Sequence, residues 1–144
     1  MKSQRPTGSF RENERGTSAV EFALLSPLYL LLMMGMAAYG IYFGCSHSLQ
    51  QIAADAARVA IAGLSSDERR RLAEDYVGAY AGSYAFVDPS RLQVQAGESP
   101  RDPSQFLIDL HYDARTLPIW NLFDGLPLPG TLIAKRAVIR VGGI

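Results

Sequence analysis

The chain has 144 residues with 14 basic and 14 acidic side chains, enough for one small globular domain besides a membrane segment. The charge is unevenly divided: residues 1–16 hold Lys2, Arg5, Arg11 and Arg15 against Glu12 and Glu14, a net of +2, and the remainder balances it at −2. No clustered basic surface supports nucleic-acid binding, and a single cysteine, Cys45, rules out an intrachain disulfide.

Residues 1–16 are polar, lack apolar periodicity and include Pro6 and Gly8, so they read as a leader that is disordered until processed. From Phe22 to Cys45 there is no charged residue. At 1.5 Å per residue this run spans about 36 Å, against a hydrocarbon core of about 30 Å, and predicts a transmembrane helix over 17–45. A basic leader beside it predicts a cytoplasmic N-terminus and an exported C-terminal part. Glu21 is an acid at the mouth of this run, where such residues mark function more often than packing. Pro27 removes one helical hydrogen bond and predicts a mild kink, with Ser26 placed to satisfy part of the freed backbone. Gly35, Gly40 and Gly44 offer close approach to neighbouring helices. Tyr39, Tyr42 and Phe43 suit the outer interfacial belt, with Cys45 at the outer boundary as a small apolar residue.

The order Arg15-Gly16-Thr17-Ser18-Ala19-Val20-Glu21-Phe22, followed by Ala23-Leu24-Leu25-Ser26-Pro27-Leu28, resembles the opening of the TadE-like pseudopilins of the tight-adherence (Tad, or Flp) pilus. The resemblance covers about residues 15–57. It implies cleavage between Gly16 and Thr17 by a prepilin peptidase, assembly roles for Glu21 and Phe22, and membership of a Tad pilus or its inner-membrane assembly platform, with other pilins as partners. Cleavage would put a new positive amine on Thr17. Glu21 lies one helical turn on, so the acid of one subunit can meet the amine of a neighbour staggered by about 5.4 Å. A second reading, from another class, is an uncleaved signal-anchored envelope protein whose exported domain binds a partner.

Beyond Cys45, Leu49, Ile52, Ala53, Ala56, Val59, Ala60 and Gly63 recur at three- and four-residue steps, which predicts an amphipathic continuation over 46–64. Its thin, alanine-rich stripe fits a small domain packed on it or a neighbouring helix. Asp55 and Arg58 are an i,i+3 pair. Gly63 stops the helix, and Ser65 with Glu68 forms a capping box for a second helix over 66–80, with Leu72, Ala73, Tyr76, Val77 and Tyr80 inward. Alternating stretches around Leu92–Ala96, Phe106–Tyr112 and 132–141 predict three antiparallel strands. The fold class is therefore α+β and pilin-like, with an exported domain over 65–144. Between the last two strands, residues 117–130 are too proline-rich for regular structure and too apolar for an idle loop. They either cover the sheet or offer Trp120 and Phe123 to a partner.

No catalytic arrangement is present. His47 and His111 have no partner at metal-ligand or nucleophile–base spacing. Asp109, His111 and Asp113 share an outward strand face, which reads as a wet surface ahead of a weak ion site. No phosphate loop or dinucleotide motif occurs, so no cofactor is expected and the chain reads as the substrate of an enzyme, not an enzyme.

Overall fold

The computed structural model describes residues 10–120 and 127–141, with side chains from residue 16 onward. Its elements are α1 (Phe10–Ala60), α2 (Ser66–Tyr80), β1 (Leu92–Glu98), β2 (Gln105–Asp113) and β3 (Leu132–Arg140). The strands form one antiparallel sheet in the order β1-β2-β3, with Val94 opposite Leu110 and Ile108 opposite Ala137. The chain divides into two compact units, Met1–Ala37 and Ala38–Ile144.

In the first unit α1 begins at Phe10, inside the leader expected to be disordered. Arg and Glu dominate this stretch, and adding such good helix formers to an existing helix needs no new nucleus. The helix runs on through Pro27, and Ser26 Oγ donates to the carbonyl of Ala23, the group the proline leaves unpaired, over 3.4 Å.

The second unit is built on the C-terminal part of α1. Cys45, Leu49, Ile52, Ala53, Ala56 and Ala60 are fully buried in one cluster with Phe106, Ile108, Leu110 and Tyr112 of β2. The amphipathic stripe is thus the seat of the sheet. Alanines dominate it because small side chains let a helix backbone approach a sheet face closely, while Leu49 and Ile52 supply the volume. The core reaches back to Ala38, also fully buried, well inside the stretch expected to lie in lipid. Cys45 is accordingly a buried core thiol.

α2 occupies the expected range. Ser65 Oγ accepts from the Glu68 amide at 3.2 Å, but the Glu68 carboxylate reaches past Ser65 to the Leu64 amide at 2.8 Å. Half of the expected capping box is therefore displaced by one residue. Ala73 and Val77 are buried, whereas Tyr80, expected to face inward, is exposed because the chain turns away into a 3-10 turn at Ala81–Ser83. α1 and α2 are tied through hydroxyls: Tyr84 donates to Asp55 at 2.8 Å and its oxygen lies 2.8 Å from that of Tyr76. Burial and these bonds push the Tyr84 phenol well above its ordinary range. Asp55 also holds the expected ion pair with Arg58.

The 117–130 segment covers the core where it is described. Leu117 and Ile119 are buried, Leu128 packs against the cluster, and the half-buried Trp120 donates its indole N–H to the Ala114 carbonyl at 2.6 Å. Phe123, its expected companion in partner contact, lies outside the described residues.

Candidate functional site

The residues singled out for processing and assembly lie together at the start of the apolar helix. Gly16, Thr17, Val20 and Glu21 line a shallow hollow on its surface, because residues one turn apart share a helix face. Gly16 is exposed, and a Cβ built on it meets nothing within 4 Å. The glycine is therefore not required by local packing. Thr17 and Glu21 stand in the i,i+4 relation that an amine-to-acid pairing between staggered subunits needs.

Phe22, Leu24, Leu28, Tyr29, Leu30, Met33 and Met36 are all exposed large apolar side chains of this unit. A surface of that size is not left in water by a soluble protein. The helix is long and apolar enough to cross a membrane. Lipid or neighbouring helices would suit such a surface. The chain is thus a membrane-anchor candidate by composition, with its one acid in this stretch, Glu21, at the edge of the apolar run.

The family model described as TadE-like protein matches residues 16–58. Over that segment the chain is similar to the TadE-like proteins. The match begins at Gly16, takes in Glu21, Phe22 and Pro27, and ends near the close of α1, so the sheet lies beyond it. No curated protein and no solved structure matches the chain.

The strand acids singled out in the sequence are held in ion pairs. On the outer face of β2, Asp109 accepts from Arg136 Nη2 at 2.8 Å, and Asp113 accepts from Arg115 Nη2 at 2.6 Å and more distantly from Arg91 at 3.5 Å. These bonds, led by the Arg115 side chain and then its backbone amide, hold the Asp113 carboxyl down at about 2. Carboxylates so occupied by guanidinium groups are not available to a cation. Among the described residues no group of three or more His, Cys, Asp or Glu is placed to hold a metal. The ion pairs could not be read from alternation alone, since Arg91 and Arg115 enter from turns flanking the strands.

Proposed function

We propose that this TadE-like chain is a minor pilin or pseudopilin of a Tad pilus, made as a precursor, cut between Gly16 and Thr17 by a prepilin peptidase, and held in the inner membrane with residues beyond the anchor in the periplasm. The observation that carries this reading is the coincidence, on one exposed helix face, of Gly16, Thr17 and Glu21 with the start of the TadE-like match. After cleavage the Thr17 amine and Glu21 carry opposite charges one turn apart. In a low-dielectric setting each is costly alone, by several kcal/mol, and far less so when paired across a subunit stagger. Phe22, exposed beside Glu21, supplies apolar contact to the neighbouring helix, and the Tad pilins and assembly platform are the partners.

Glu21→Ala tests this role. The variant should be made, inserted and cut, but should lose co-purification with the other pilus components. Recovery of mature Glu21→Ala protein with those components at wild-type levels would reject the pairing.

A further inference from the structure

The core of the second unit begins at Ala38, which is fully buried. On the membrane reading proposed above, about 20 helical residues after Glu21 cross the hydrocarbon and bring the chain out near residue 41. Gly44 then lies roughly 4.5 Å further on, inside a headgroup zone about 5 to 8 Å deep. The first turns of the domain therefore sit among lipid headgroups.

At that level the second unit presents two aromatic rings. Phe43 is 62% exposed and Phe86 is 51% exposed. The Phe86 ring edge lies against the helix at Gly44, where a Cβ would come within 3.1 Å of it. Tyr39, one turn below, donates its hydroxyl to the Pro127 carbonyl. Phe86 also has a φ of 62°, a left-handed conformation that is unfavourable for a bulky side chain. The buried Tyr112 holds it there: its hydroxyl accepts from the Asp88 amide at 3.2 Å and donates to the Phe86 carbonyl at 3.4 Å. A turn needing only this backbone shape is best served by glycine. Here an aromatic is kept in it with half its surface uncovered, which points to a use for the ring. Asp88, the nearest charge along the chain, turns its carboxylate to the Ser90 amide and hydroxyl.

We propose that Phe86 and Phe43 form a lipid-docking rim that seats the domain in the headgroup zone of the leaflet from which α1 emerges. The partner is phospholipid at the headgroup–acyl boundary, into which interfacial elements bury apolar Trp, Phe and Leu side chains. Docking the rim would fix how the domain is presented before assembly.

The test uses the full chain in phosphatidylcholine–phosphatidylglycerol vesicles, with the photoreactive residue benzoylphenylalanine replacing Phe86, Phe43 or Leu64 in separate samples. Leu64 is 91% exposed but lies beyond the far end of α1, roughly 30 Å from the membrane along the helix. Irradiation and intact-mass analysis should give phospholipid adducts at positions 86 and 43 in roughly tenfold excess over position 64. Equal yields at all three positions would overturn the proposal, as would adducts at 86 and 43 that join only two protein chains. If replacement of Phe86 lowers the melting temperature, position 43 decides. Carbonate extraction separates the two readings: protein washed off the vesicles refutes the anchor itself, while protein that stays but gives no lipid adduct at 86 or 43 refutes the rim alone.

Discussion

Leu49→Ala and Leu28→Ala are the same chemical change on one helix, and the structure assigns them opposite outcomes. Leu49 is fully buried against the sheet, whereas Leu28 is 60% exposed in the other unit. Removing three carbons from a buried leucine loses roughly 2.4 kcal/mol of transfer free energy at about 0.8 kcal/mol per methylene. The cavity left behind brings the total to about 3 kcal/mol, within the usual 2 to 5. For a unit of about a hundred residues, each kcal/mol lowers the melting temperature by about 4–8 °C, so Leu49→Ala should melt roughly 12–24 °C early. Leu28→Ala should leave that transition where it was, because no core atom depends on it. Near-ultraviolet circular dichroism of the detergent-solubilised chain follows the folded aromatic core and reads both. A shift below about 4 °C for Leu49→Ala, or equal shifts for both variants, would refute the placement of the core on α1 beyond Ala38.

Gly63→Ala should destabilise the domain by about 1–3 kcal/mol, since the new methyl would lie 2.8 Å from the backbone nitrogen of Arg69; an unchanged urea midpoint would contradict this. Ser65→Ala removes the hydroxyl that accepts from Glu68 and should cost about 1 kcal/mol in the same assay, with Ser65→Asp restoring most of it. Asp113 has its pKa lowered from 3.8 to about 2 chiefly by Arg115. Because the folded value is the lower one, its contribution is present above pH 3.8 and fades as the pH falls toward 2. The gap in urea midpoint between wild type and Asp113→Asn should therefore close across that window, and a constant gap would count against the ion pair.

Much of the fold was legible because its signals are local. Ser65 and Asp67 mark the start of α2, and Phe106, Ile108, Leu110 and Tyr112 alternate cleanly because β2 is the central strand with one face in the core. The division of α1 was not legible. Ala38, Ile41, Tyr42 and Cys45 are apolar whether lipid or protein covers them, so a charge-free run sets an upper bound on the span but cannot show where the core begins. Phe86 gave no signal either, since its left-handed backbone depends on Tyr112, distant in sequence. The same holds for Asp109 and Asp113, whose outward placement followed from alternation while Arg136 and Arg91 came to them through register and turns. At the candidate site, by contrast, Thr17 and Glu21 lie one turn apart on one helix with Gly16 beside Thr17, and spacing alone fixes the face that Thr17 and Glu21 share.

Processing at Gly16 is the step on which the pilin reading depends most. Intact-mass analysis of the membrane form, from cells with and without the prepilin peptidase, measures it directly. The chain should begin at Thr17 when the peptidase is present and remain a full precursor beginning at Met1 when it is absent, and it should stay uncut in both when Gly16 is replaced by a bulkier residue. An intact Met1 end in wild-type protein regardless of the peptidase would contradict it and leave an uncleaved signal anchor.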